Sequence, residues 1–102
     1  MSLFDEDGYL VRREDWNEQL ARSLADQHQL SLTDEHWSII WLVRTFHAET
    51  DVVPAMRPLV KLVKQQLGPE KGNSLYLHRL FPDSPAKLAA KLAGLPKPTN
   101  CL

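Results

Sequence analysis

Seven prolines, the first at position 54, punctuate the second half of this 102-residue chain and decide which segments can be helical. Proline fixes φ, lacks a backbone donor and pushes its predecessor into extended conformations, so helices start beside it or stop before it. Pro54 and Pro58 flank the start of one helix, which Gly68-Pro69 ends, with Met56, Leu59, Val60, Val63 and Leu67 on its inner face. Gly72-Asn73-Ser74 then leads into a short helix carrying Leu75, Leu77, Leu80 and Phe81, closed by Pro82. The last helix has Asp83 or Ser84 as cap, Pro85 at its first position, Leu88, Ala89 and Leu92 facing inward, and Gly94 as its left-handed stop. Beyond it, Leu95-Pro96-Lys97-Pro98-Thr99-Asn100 cannot be helical, and the chain is expected to end in an extended arm.

The first half reads differently. Leu3-Phe4 and Tyr9-Leu10-Val11 on either side of Asp5-Glu6-Asp7-Gly8 suggest a small β-hairpin. From Glu14 to about Gln29, Trp16, Leu20, Ala21, Leu24 and Ala25 fall on one helix face. Ser31-Leu32-Thr33-Asp34 supplies cap candidates for a second helix over Asp34 to Glu49, with Asp34 and Glu35 at the positive end of its dipole. That helix has two apolar rows, Ile39-Leu42-Val43-Phe46 and Trp37-Ile40-Trp41, and is expected at the centre of the core. The fold class is therefore mainly α, one small domain of about five helices with a short N-terminal β-hairpin. Residues 1–94 form the helical body and residues 95–102 the arm.

Hydrophobic residues at 43% and charged residues at 25% suit one soluble globular domain, expected to be a monomer. A formal net charge of -1 supplies no global field for nucleic acid or anionic membranes. The acidic start lacks the pattern of a secretory signal, and the apolar stretch from Trp37 to Phe46 is too short to cross a bilayer. A lone cysteine cannot form an internal disulfide, so a reducing, cytoplasmic location without membrane contact is expected.

That cysteine, Cys101, is the one strong nucleophile. It follows a proline-containing tail instead of sitting in a periodic apolar segment, so the sequence presents it as an exposed group rather than a packed one. A thiol at the tip of a hinged arm can enter another protein's active site, which suits a group carrier; an idle thiol on an idle tail is the bland alternative. The thiolate is the reactive form, and an adjacent terminal carboxylate disfavours it. Arg57, Lys61, Lys71, Arg79, Lys91 and Lys97 are the cations available to offset this if the arm folds back.

His28, His36, His47 and His78 lack the paired spacing of zinc motifs, so no metal is expected, nor any cofactor. The two helices around Gly68-Pro69-Glu70-Lys71-Gly72 suggest a helix-turn-helix, with Asn73, Ser74, His78 and Arg79 on a would-be recognition helix. Arg57, Lys61, Lys64, Lys71 and Arg79 form a local basic set that suits RNA phosphates or an acidic partner.

Several segments together resemble the TusE/DsrC family. They are Lys71-Gly72-Asn73-Ser74, Tyr76-Leu77, Arg79-Leu80-Phe81-Pro82, Pro85-Ala86-Lys87 and above all Ala93-Gly94-Leu95-Pro96-Lys97-Pro98 followed by Cys101. Ser31-Leu32, His36-Trp37, Pro54-Ala55-Met56-Arg57 and Leu59-Val60-Lys61 fit the same pattern. The resemblance implies a mostly helical domain whose working residue is Cys101. In TusE-type members this cysteine takes persulfide sulfur from a TusBCD-like relay complex and delivers it to the tRNA 2-thiouridylase, touching tRNA indirectly if at all. In DsrC-type members it works with dissimilatory sulfite reductase and a second arm cysteine. Ala90 stands at that second position, so the resemblance favours the one-cysteine sulfurtransferase role over the sulfite-reductase accessory role. By the same resemblance Gly94 is the hinge, Pro96 and Pro98 keep the arm extended, and Lys97 steers it or stabilises the thiolate. A partner- or nucleic-acid-binding module with a dispensable tail is the reading from a different class.

Overall fold

The computed structural model describes residues 2–98 and contains five α-helices: α1 (Glu18–Gln27), α2 (Asp34–Thr50), α3 (Met56–Leu67), α4 (Ser74–Leu80) and α5 (Pro85–Leu92). Each start has a local cause. The Asn17 side chain accepts from the Leu20 amide at 2.8 Å and caps α1, and Asn73 does the same for α4 through Tyr76. At the start of α2 the acceptor at the third helical residue is unusual: His36 Nδ1 takes the Thr33 amide at 3.0 Å, in the place where a capping box normally uses Glu or Gln. Pro85 opens α5 at a position where its missing donor costs nothing.

Three expectations need correction. The N-terminal β-hairpin is absent as strands among the described residues and is reduced to a single antiparallel bridge between Phe4 and Leu10. Its turn is tight, with Asp5 Oδ1 accepting from both Asp7 and Tyr9 amides and Gly8 at φ 87°. The flanks are too short for a ladder, because Arg12 already leads into a 3-10 turn over Arg13–Asp15. That turn also shortens the first helix: Trp16 and Asn17 lie in extended backbone ahead of α1, so Trp16 is not on its face.

The centre of the core is α5, not α2. It packs against α1, α2, α3 and α4, and six of its eight residues are buried. Ala86, Ala89 and Ala90 are small enough to let neighbouring helices approach closely, while Leu88 and Leu92 fill the spaces between them. α2 contributes Ile39, Ile40 and Val43 to this core but leaves Trp41 44% exposed, so only part of its apolar surface is inside. The radius of gyration, 12.5 Å, equals what one compact domain of this length gives, about 13 Å.

α3 and α4 meet through a backbone contact. A Cβ on Gly72 would overlap the Lys64 backbone and Cβ, so only glycine lets this link lie against α3. Asn73 next to it is committed locally, accepting from Tyr76 and donating to the Glu70 carbonyl at 2.7 Å. Leu77 and Leu80 of α4 are buried and the Tyr76 hydroxyl donates to Glu35 at 2.8 Å, features of a packing helix rather than of one held out for a groove.

Candidate functional site

The site is the C-terminal end of α5 and the segment that leaves it. A helix leaves its last carbonyls without intrahelical donors. Here they are satisfied. The Leu95 amide bonds back to the Ala90 carbonyl at 3.0 Å and the Gly94 amide to Lys91 at 3.2 Å, with Gly94 at φ 71°. This is the Schellman arrangement, and its accompanying apolar contact is provided by Leu95, which is fully buried. The Leu92 carbonyl takes the Trp16 indole N–H at 2.8 Å, and the Ala93 carbonyl takes Arg44 Nη1 at 2.7 Å.

Trp16 and Arg44 also hold each other. The Arg44 guanidinium carbon lies 3.8 Å from the Trp16 ring centroid, and Trp41 meets Trp16 edge-on at 5.2 Å. A guanidinium over an indole face is worth about 0.5–2 kcal/mol, depending on desolvation. Burial and the neighbouring Arg13 both lower the pKa of Arg44 from its ordinary value, but arginine starts so high that it remains cationic. Gly94 sits against the same indole: a Cβ there would come within 2.5 Å of Trp16 Cδ1.

From this anchored start the chain continues through Leu95 into the core, exposes Pro96 and Lys97, and buries Pro98. Residues 95–98 have no regular secondary structure. Lys97 Nζ lies 3.9 Å from Asp7 Oδ2, a half-exposed pair of small energetic weight. Lys97 lines a cleft of about 310 Å³ with Lys87, Lys91, Asp7 and Asp83. Pro98 lines a second cleft of about 170 Å³ with Met56, His78, Ser84 and Lys87. The segment thus turns back towards the N-terminal end of α5.

The cations expected near the arm divide accordingly. Lys91 and Lys97 line the first cleft, and Lys91 also lies 5.1 Å over the Tyr9 ring. Arg57, Lys61, Lys71 and Arg79 line neither cleft, although Arg57 and Arg79 adjoin Met56 and His78 in the chain. Sequence reasoning missed Lys87 as a cation of this region; its signal was the spacing of four from Lys91, which puts both on one helix face. Trp16 and Arg44 were missed as well, being 76 and 49 residues away from the carbonyls they bind. Cys101 lies outside the described residues. Among those residues no group of three or more His, Cys, Asp or Glu side chains forms a metal site, and no helix is long and apolar enough to cross a membrane.

A small helical body built around one central helix, continuing into a non-helical proline-flanked segment with one thiol beyond it, defines the class. The chain belongs to the DsrC-like protein family, whose family model matches residues 2–102. It is 53% identical to "Sulfurtransferase TusE homolog" of Haemophilus influenzae over 98 residues, spanning 96% of this chain and 90% of the relative. Against "Sulfurtransferase TusE" of Yersinia pestis it is 52% identical, again over 96% of this chain and 90% of the relative. Among solved structures it is similar to DsrC of Allochromatium vinosum, with TM-score 0.89, 50% identity, and coverage of 97% of this chain and 88% of that one. The oxidized gamma-subunit of dissimilatory sulfite reductase (DsrC) from Archaeoglobus fulgidus matches with TM-score 0.82, 42% identity, and coverage of 97% and 90%.

Proposed function

We propose that this protein is a sulfur carrier of the sulfurtransferase type and that Cys101 is its carrier residue. The Cys101 thiolate attacks the outer sulfur of a donor persulfide, the donor's S–S bond breaks, and the donor leaves as a thiolate. Cys101 then carries the persulfide until an acceptor takes the outer sulfur and frees the thiolate again. No external oxidant or reductant is needed, because the transferred sulfur keeps its oxidation level.

The observation that carries this reading is the similarity, at about half identity across nearly the whole chain, to proteins named sulfurtransferase TusE. Two similar structures belong to sulfite-reductase systems or are named DsrC, which keeps a sulfite-reductase accessory role as the second reading. Cys101 is the only cysteine and Ala90 is a buried alanine of α5, so an internal disulfide has no second thiol. This favours the single-thiol carrier. The donor proposed is a TusBCD-like relay complex, the acceptor a tRNA 2-thiouridylase, and the location the cytoplasm.

Residues 1–94 are proposed as the body and residues 95–102 as the arm, with Gly94 the joint. Cys101 lies three residues beyond Pro98, a reach of at most about 11 Å. Lys87, which lines the same cleft as Pro98, and Arg57 and Arg79, which adjoin its lining residues Met56 and His78 in the chain, are proposed as the cations that favour a thiolate or persulfide. Lys61 and Lys71 then serve as surface contacts for a partner.

Delivery is tested by mixing sulfur-loaded protein with the 2-thiouridylase and unmodified tRNA and measuring 2-thiouridine. Thiolation that depends on the loaded protein supports the tRNA branch. Loaded protein that gives no thiolated tRNA but reacts with a sulfite reductase moves the function to the second reading.

A further inference from the structure

Two features lie outside the carrier chemistry: the exposed faces of Trp41 and Leu75, and the pair of hydrogen bonds from Trp16 and Arg44 to the end of α5. Only the last specifies what it acts on. We propose that Trp16 and Arg44 form a clamp that sets the direction in which the arm leaves the body, making them positioning residues for sulfur transfer; this rests on the carrier reading above.

The geometry is specific to the joint. Of the last carbonyls of α5, those of Ala90 and Lys91 are satisfied by the arm's own amides, whereas Leu92 and Ala93, immediately before Gly94, depend on side chains from elsewhere. Those side chains come from the segment before α1 and from the middle of α2, so three separate parts of the chain meet at two consecutive peptides. The indole lies close enough to Gly94 to exclude a Cβ, and the Arg44 guanidinium lies over its ring, 3.8 Å from the centroid. Trp16 is itself fixed against the joint, because moving it breaks its bond to Leu92 and its stacking with Arg44. A tight joint lowers the entropy lost when the arm enters a partner, provided its direction already suits entry. Loss of the clamp would leave the arm's exit direction to Leu95 burial and the Leu95–Ala90 bond alone and so widen it, weakening productive docking while leaving the thiol's own chemistry intact.

The test uses full-length protein with Cys101→Ser, and spin labels on Lys97→Cys in the arm and Lys61→Cys on α3, read as a distance distribution. Trp16→Phe keeps the ring and removes the donor; Arg44→Met keeps the length and removes charge and donor. With the parent narrow, each variant is expected to broaden the distribution at least twofold while circular dichroism shows an unchanged helical body. In separate chains that retain Cys101, the same two substitutions should raise the KM for the acceptor severalfold with kcat little changed. An unchanged distribution in folded variants, or a broad one in the parent, overturns the clamp. If the variants do not fold, wild-type hydrogen exchange decides: a protected Trp16 indole N–H supports the clamp, and one exchanging as fast as a free indole overturns it. A wild type that never accepts sulfur on Cys101 refutes the carrier reading alone, since the distances are measured without sulfur.

Discussion

His36 Nε2 donates to the Leu80 carbonyl at 2.7 Å, joining the first turn of α2 to the last residue of α4 across 44 positions. The tautomer follows from the other ring nitrogen, which accepts the Thr33 amide and so carries no proton. One buried imidazole thus caps α2, closes α4 and meets Phe81 edge-on at 5.2 Å. His36→Leu keeps the volume but strands the Leu80 acceptor and the Thr33 donor. A loss of about 2–4 kcal/mol is expected from an unsatisfied buried carbonyl and a lost cap. Urea unfolding checks it: the midpoint should fall with an unchanged slope.

Gly94→Ala should destabilise through two causes that add. A left-handed alanine costs about 1–2 kcal/mol, and the new Cβ must displace Trp16. Tryptophan fluorescence and near-UV dichroism should change with it. Gly72→Ala should also destabilise, through the Lys64 backbone, but without altering the Trp16 signal.

Acid stability should depend on His47. Its Nδ1 accepts from Arg13 Nη1 at 3.1 Å, and its Nε2 lies 3.6 Å from Asp51 Oδ1. Burial first and Arg13 second hold its pKa below the ordinary 6.5, outweighing the upward pull of the exposed Asp51, so the Asp51 contact is one of a neutral ring and not an ion pair. As pH falls through about 6.5 the unfolded chain binds a proton before the folded one does, so this contribution is complete above that range and is lost towards the folded pKa. The wild type should lose stability as pH falls from neutral through about 6.5 towards the lowered folded pKa, and His47→Gln should lose less. Equal losses in both would contradict the assignment.

The Tyr76 phenol should titrate late. Burial and the bond to Glu35 push its pKa up to about 12. Glu35→Gln removes the carboxylate's charge and should bring the tyrosinate absorbance transition back towards 10, while Tyr76→Phe should abolish that transition and so assign it.

Much of this architecture is legible in the sequence because its determinants are local. Pro85 and Gly94 bracket α5, Asn73 and Pro82 bracket α4, and the residues that start α2 stand beside it. The N-terminal hairpin was misread because two apolar residues before a turn and three after it are too short a pattern to separate a ladder from a single bridge. Trp16 was misplaced for a related reason: its spacing fits a helix face, but Asn17 caps the helix one residue later. The primacy of α5 was hidden, since alanines at 86, 89 and 90 look bland until four helices converge on them. Of the site, Gly94 as the left-handed stop of α5 was visible in advance. Its partners Trp16 and Arg44 were not, because bonds spanning 76 and 49 residues leave no pattern in the intervening chain.

The carrier role itself is tested most directly by intact mass spectrometry of the wild type and Cys101→Ser after incubation with a cysteine desulfurase, cysteine and the relay proteins, without added reductant. The account predicts a gain of one sulfur on the wild type alone, removed by a thiol; no gain, or an equal gain on both proteins, would contradict it.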